Sequence, residues 1–230
     1  MLRKETVSTE LLAVLKSLME LPILKNHRLV GGTSLALQIG HRISIDIGLF
    51  SEKKNNYNAI RIELQKKFGK TFQEGYEINS PMGKGLSVFI NDIKTDILDW
   101  NTKFIRPEFI DEEIRLASKE DIIPMKFNTF LCATEFARYE KKDYTDIAHL
   151  LKEFSLSQMI ELYKTKYPNQ LMSDRMILEG LKLNEMADKK FMPQMLNNIT
   201  WVDVKKQIDN SILVYAENRI KKKDDNAGKF

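Results

Sequence analysis

The stretch Leu29-Val30-Gly31-Gly32-Thr33-Ser34-Leu35-Ala36-Leu37, followed by His41-Arg42-Ile43-Ser44-Ile45-Asp46-Ile47-Gly48-Leu49-Phe50, decides the reading of this chain. A short extended run, His27 to Val30, meets two glycines and then a compact apolar segment. Thr33 to Ile39, ending at Gly40, reads as a short helix. Glycines let a backbone approach a phosphate closely, and a helix N-terminus offers unpaired N–H groups and the positive end of a dipole. Thr33 and Ser34 add hydroxyl donors. Ser44 to Phe50 then alternates polar and apolar, which predicts a strand with Ser44, Asp46, Gly48 and Phe50 on one face and Ile45, Ile47 and Leu49 on the covered one. An aspartate beside a phosphate cradle is how a protein holds Mg²⁺ against a triphosphate. Taken singly, a Gly-Gly pair is more often a bare turn and a strand aspartate more often a solvated residue; it is their order and spacing that point to chemistry.

Outward from that stretch, the first half of the chain alternates helix and strand. Leu11, Val14, Leu15 and Leu18 predict a helix over 8–20, ended by Pro22. Ile60, Leu64 and Phe68 predict another over 57–68. From 71 to 99 the pattern is β: two extended runs flank Pro81-Met82-Gly83-Lys84-Gly85, and a third follows from Ile93 to Leu98. After Pro107 the character changes. Ser118-x-x-Asp121, Ser155-x-x-Gln158 and Thr200-x-x-Asp203 are capping boxes, and the rest reads as helical. Ile147, Leu150, Leu151 and Phe154 form one apolar face; Trp201, Val204, Ile208, Ile212 and Tyr215 form another. The fold class is α+β, a small mixed sheet followed by a helical C-terminal half, with 1–106 as the α/β core and 107–230 as a helical region packed on it.

Composition narrows the function classes. With 230 residues, 43% hydrophobic and 30% charged, the chain has the make-up of an ordinary globular protein. A single cysteine, Cys132, excludes an internal disulfide and a Cys-cluster metal site, and the three histidines, His27, His41 and His149, are far apart in sequence. No apolar run reaches the roughly 18 residues needed to span a bilayer, and no leader-type apolar segment is visible, so the expectation is a cytoplasmic protein without a membrane partner. The net charge of +4 permits a polyanionic partner without requiring one.

The glycine–helix–aspartate phrase resembles the opening motif of polymerase-beta-type nucleotidyltransferases. More narrowly, it is similar to that of the AbiEii/AbiGii toxin nucleotidyltransferases, the effector half of type IV toxin–antitoxin and abortive-infection systems. Three later segments extend the resemblance in order. Ile93-Lys94-Thr95-Asp96-Ile97-Leu98 looks like the strand that supplies the third carboxylate, at Asp96. Asp121 to Asn128 looks like the helix with a functional lysine, here Lys126, and Lys141-Lys142-Asp143-Tyr144-Thr145-Asp146 like the Lys-Asp-x-x-Asp helix. The resemblance implies a nucleotidyltransferase that takes a nucleoside triphosphate with Mg²⁺, an acceptor such as RNA, and a cognate antitoxin. On that footing Asp46 and Asp96 hold metal. Gly31, Gly32, Thr33, Ser34 and Lys126 bind the nucleotide, and Asp46, Asp96, Lys126 and Asp143 make up the catalytic set. Asp143 shares the Ile147 and Leu150 face, so it points inward and needs a partner, Lys126 or Arg42.

The chain departs from the family at Gly48, where the second metal aspartate would stand. Water can fill a ligand position on Mg²⁺ but does not restore the lost negative charge. Two readings therefore stand side by side: a transferase with a weakened Mg²⁺ site, or a catalytically impaired module that binds nucleotide, RNA or antitoxin. Whether Glu52, Asp92 or Asp99 reaches the vacant position discriminates between them.

Overall fold

The computed structural model describes every residue except Pro81, 132–138, 170–172 and 228–230. Pro81 of the expected turn and Cys132 lie outside the described residues. The chain divides into two compact units, Met1–Ile122 and Ile123–Phe230.

In the first unit, Ser8 caps α1 (Thr9–Met19), its hydroxyl accepting from the Leu11 N–H at 3.0 Å. The chain continues through β1 (Arg28–Leu29), α2 (Gly31–Ile39), β2 (Ile47–Ser51) and α3 (Tyr57–Phe68), the last capped by Asn56. Then come β3 (Phe72–Ser80), β4 (Gly83–Ile90), β5 (Ile93–Trp100), β6 (Phe109–Asp111) and β7 (Ile114–Leu116). These strands form one mixed sheet in the order β3-β4-β5-β2-β1-β7-β6, with β2 parallel to β5 and β1 parallel to β7. One face packs on Leu11, Val14, Leu15 and Leu18 of α1 and on Ile60 and Leu64 of α3, closing over Ile47, Leu49 and Ile97. Gly75 sits at the bulge of β3, where a Cβ would come within 2.3 Å of the Ser87 carbonyl oxygen, so only glycine fits there.

Three sequence expectations shift. The glycines do not precede the helix; Gly31 and Gly32 form the first turn of α2, and Gly31 takes a φ of +68°. The strand expected over 44–50 begins at Ile47. Ser44 is drawn inward instead, its N–H donating to the Thr6 carbonyl at 2.8 Å and its hydroxyl lying 2.8 Å from that of Thr33. That breaks the alternation and leaves Ile45 72% exposed, not on the covered face. Finally, the helical region does not begin at 107. Residues 109–116 form the hairpin β6–β7, and Leu29 pairs with Leu116, so this segment belongs to the sheet. Its turn runs through Glu112 and Glu113 at φ of +47° and +68°, a conformation usually given to Asn or Gly. Glu112 is held there by Lys4 at 2.6 Å and Lys16 at 3.3 Å.

The second unit is helical. It contains most of α4 (Lys119–Leu131), then α5 (Lys141–Leu150), α6 (Leu156–Lys166), α7 (Asp174–Lys182) and α8 (Trp201–Ala227). The capping boxes of Ser155 with Gln158 and Thr200 with Asp203 form in full, and at Ser118 the hydroxyl accepts the Asp121 N–H at 3.1 Å and donates to its carboxylate at 3.0 Å. The expected α8 face is the buried one, with Val204, Ile208, Ile212 and Tyr215 inside. Tyr144 of α5 lies between Phe130 and Trp201, at ring-centroid distances of 4.3 and 5.9 Å. Among the described residues no helix is long and apolar enough to cross a membrane.

Candidate active site

The glycine turn is tied to the strand that follows it. The Val30 N–H donates to the Gly48 carbonyl at 2.9 Å, and the Thr33 hydroxyl donates to the Asp46 carbonyl. These bonds set the N-terminus of α2 beside Asp46, the residue before β2. The N-cap residue, Val30, gives α2 no side-chain cap, and the space beside Gly31 is open, since a Cβ built there would meet nothing within 4 Å. Thr33 and Ser34 are buried, with hydroxyls directed inward to Ser44, Asp46, Ala117 and Gln38. What this turn offers an anion is backbone N–H.

Strand pairing aligns the carboxylate face. Gly48 is the register partner of Asp96, Asp96 of Ser87 on β4, and Ser87 of Tyr76 on β3. Register partners share a face, so a single row crosses four strands as Tyr76, Ser87, Asp96, Gly48. Lys94, two residues before Asp96, lies on the same face with its Nζ 3.0 Å from Asp96 Oδ2. Burial pulls the Lys94 ammonium down. The hydrogen bond and charge of Asp96, with the fields of Tyr76 and Asp46, outweigh it and hold its pKa above the usual lysine value. The second oxygen, Asp96 Oδ1, is buried without a hydrogen-bond partner, as is the Ser87 hydroxyl.

Of the carboxylates that could replace the missing aspartate, Asp99 and Glu52 are engaged elsewhere and Asp92 belongs to a turn. Asp99 falls on the opposite face, beside Ser51, where it accepts from the Lys84 and Asn55 N–H groups. Glu52 accepts the Phe104 N–H at 2.5 Å, beyond the C-terminal end of β2. Asp92 forms the β4–β5 turn with Asn91, at φ of +62° and +50°. Among the described residues no three His, Cys, Asp or Glu side chains gather as a metal site. The face therefore presents two carboxylates and one ammonium. That donor set, with the orphaned Asp96 oxygen, fits one Mg²⁺ arriving with phosphate oxygens, since Mg²⁺ is commonly held by one or two carboxylates plus substrate phosphates. It does not fit a metal pair.

The lysine and aspartate of the second unit form their own cluster. Lys126 Nζ lies 2.7 Å from Asp143 Oδ1 and 2.5 Å from Asp146 Oδ2, and all three side chains are buried. The inward orientation of Asp143 and its partnership with Lys126 agree with the helical periodicity. Asp146 is an added partner. Its spacing of three from Asp143 is the signal, and the sequence alone reads that spacing equally well as a favourable interaction with the helix dipole.

Lys94 and Ser87 escape a motif reading. Lys94 is recoverable from strand periodicity once Asp96 is singled out, but Ser87 becomes visible only when the β4–β5 register is known.

The family model described as "Nucleotidyl transferase AbiEii toxin, Type IV TA system" matches residues 14–209. No curated protein matches the chain. Among solved structures, the chain is similar to one from H. pylori described as a candidate nucleotidyltransferase. The identity there is 16%, the match covers 92% of this chain and 93% of that one, and the TM-score is 0.50. It is also similar to JHP933 from Helicobacter pylori, at 18% identity over 97% of this chain and 100% of that one, again with a TM-score of 0.50. At these identities the two structures establish a shared fold.

Proposed function

The chain belongs to the AbiEii family of nucleotidyl transferase toxins of type IV toxin–antitoxin systems, and on that premise we propose that it binds a nucleoside triphosphate at the α2 turn and transfers its nucleotide to a nucleic-acid hydroxyl. The observation that carries this is the apposition of the α2 N-terminus, open beside Gly31, to the strand segment bearing Asp46 and Gly48 and paired with Asp96. The α2 amides bind the phosphates, with Thr33 contributing backbone N–H while the Thr33 and Ser34 hydroxyls brace the turn. The acceptor hydroxyl attacks the α-phosphorus and gives its proton to solvent, the bond from that phosphorus to the bridging oxygen breaks, and pyrophosphate leaves with the electron pair. No protein nucleophile is required; the protein supplies position and charge. Mg²⁺, held by Asp46 and Asp96, would neutralise charge on the phosphates.

Lys94 supports a weakened dependence on that ion. Its ammonium already stands on the face that lacks a carboxylate at Gly48, so part of the positive charge is built into the protein. Lys126, fixed between Asp143 and Asp146, stands where the resemblance to the family implies a functional lysine, with Asp143 holding its ammonium in place. The vacancy at Gly48 supports slow turnover, because a missing metal ligand costs at least the roughly 10–100-fold that is lost when a ligand's hydrogen-bond partner is removed. A cognate antitoxin is the expected protein partner of a toxin of this family. Isothermal titration with each nucleoside triphosphate, with and without Mg²⁺, tests the reading. Binding of at least one triphosphate, tightened by Mg²⁺, is expected; no binding under either condition would overturn it.

A further inference from the structure

The C-terminal ends of β2 and β5 lead away from the carboxylate face into two adjoining cavities of about 350 and 390 Å³ that share Glu52 and Lys53. The first also contains Lys54, Lys103, Trp100 and Thr102; the second contains Lys25, Arg28 and Phe104. Five cationic side chains thus stand against two acids, Glu52 and Glu108. Both acids are engaged, Glu52 with the Phe104 N–H and Glu108 at 3.8 Å from Arg28 Nε. Among the described residues neither Lys25 nor Lys53 forms an ion pair.

Aromatic rings punctuate this basic strip. Trp100 stacks on Phe50, with centroids 4.9 Å apart and planes at 24°. Phe50 shares the strand face of Gly48, two residues along β2. Phe104 carries the Arg28 guanidinium 4.1 Å above its ring. The Trp100 indole N–H and the Thr102 hydroxyl, both lining the first cavity, have no hydrogen-bond partner. The loop that carries Lys103 and Phe104 is anchored, because buried Asp121 accepts the Ile105 and Arg106 N–H groups at 2.7 and 3.1 Å. Basic side chains interleaved with stacking rings on a fixed loop are what a sequence-tolerant single-strand site requires: charge tracks the backbone and each base offers a π-face.

We propose that this trough binds single-stranded RNA, leading one strand from Lys25 past Phe104 and Trp100 toward the carboxylate face. It rests on the transferase reading only for its purpose, delivery of the acceptor end; the binding itself stands apart. A duplex presents stacked, inward bases and cannot use the rings, so the trough discriminates against it.

The test is fluorescence anisotropy of a labelled single-stranded RNA and its duplex across a salt series, without nucleotide. Wild type should bind the single strand more tightly than the duplex. Lys25→Ala/Lys53→Ala/Lys54→Ala, three surface changes, should weaken single-strand binding about tenfold or more and lower the salt slope by about 2, at roughly 0.7 per lost phosphate contact. Phe104→Leu should weaken single-strand binding and leave the salt slope unchanged. Triphosphate titration of the triple variant should match wild type. Equal affinity for duplex and single strand, or RNA binding unaffected by the triple change, would overturn the trough. If wild type binds triphosphate but no RNA, the trough alone falls; if it binds RNA but no triphosphate, the trough stands and the transferase reading falls.

Discussion

Lys94 determines how much positive charge the carboxylate face holds before any ligand arrives. Its ammonium, 3.0 Å from Asp96 and within the field of Asp46, lowers the repulsion that two carboxylates on one face would feel. Lys94→Met should therefore tighten Mg²⁺ binding and weaken triphosphate binding measured without Mg²⁺, and the two effects can be read in separate titrations. Loss of Mg²⁺ affinity in that variant would contradict this role. Ser87 contributes differently, as the register neighbour of Asp96 with an unpartnered hydroxyl. At this scale the sequence was legible where residues sit in a motif. Asp46 is singled out by the order and spacing of its motif, Asp96 by the family resemblance of its strand, and the inward face of Asp143 by helical period. Ser87 and the inward hydroxyls of Thr33 and Ser34 were not legible, because which way a hydroxyl turns depends on partners such as Ala117 that are distant in sequence.

The elements show why some segments could be read and others could not. α1, α3 and the α8 face follow strong apolar periods with matching caps, and they form where the period says. β2 starts late because Ser44 is captured by Thr6 and Thr33, a tertiary contact that overrides the local alternation. The β6–β7 hairpin carries no Asn-Gly signal, since its turn is made by two glutamates held through Lys4 and Lys16. In the helical unit, α4 and α5 are tied by Lys126 between Asp143 and Asp146. Lys126→Met leaves two buried carboxylates without that cation and should destabilise the chain by about 3–5 kcal/mol in urea unfolding. Asp146→Asn, which keeps one ion pair and nearly the same volume, should cost clearly less. Equal losses in the two variants would show that the cluster is not organised around Lys126.

For the molecule as a whole, acid sensitivity and activity are the measurable consequences. His27 is buried, and desolvation, only partly offset by the Leu24 carbonyl, pushes its pKa from 6.5 down to about 4. The folded chain keeps this ring neutral while the unfolded chain protonates it near 6.5. Stability from this group is thus complete above pH 6.5 and is lost as pH falls toward 4, by about 3 kcal/mol at most at 1.36 kcal/mol per pKa unit. His27→Leu should unfold with a smaller change in urea midpoint between pH 7 and 5 than wild type; an unchanged difference would contradict the assignment.

Restoring the carboxylate tests whether this face is a nucleotidyl-transfer centre weakened at Gly48. A Cβ at Gly48 would lie 3.4 Å from Val30 Cγ2 and 3.8 Å from the Val30 carbonyl oxygen, ordinary contact distances, so Gly48→Asp should fold. The measurement is transfer of labelled nucleoside triphosphate to total RNA in Mg²⁺, by wild type and Gly48→Asp side by side, with Mg²⁺ affinity titrated in each. Weak transfer by wild type, transfer at least about tenfold faster by Gly48→Asp, and tighter Mg²⁺ binding in the variant are expected. No transfer by either protein, with equal Mg²⁺ affinity in both, would contradict that assignment.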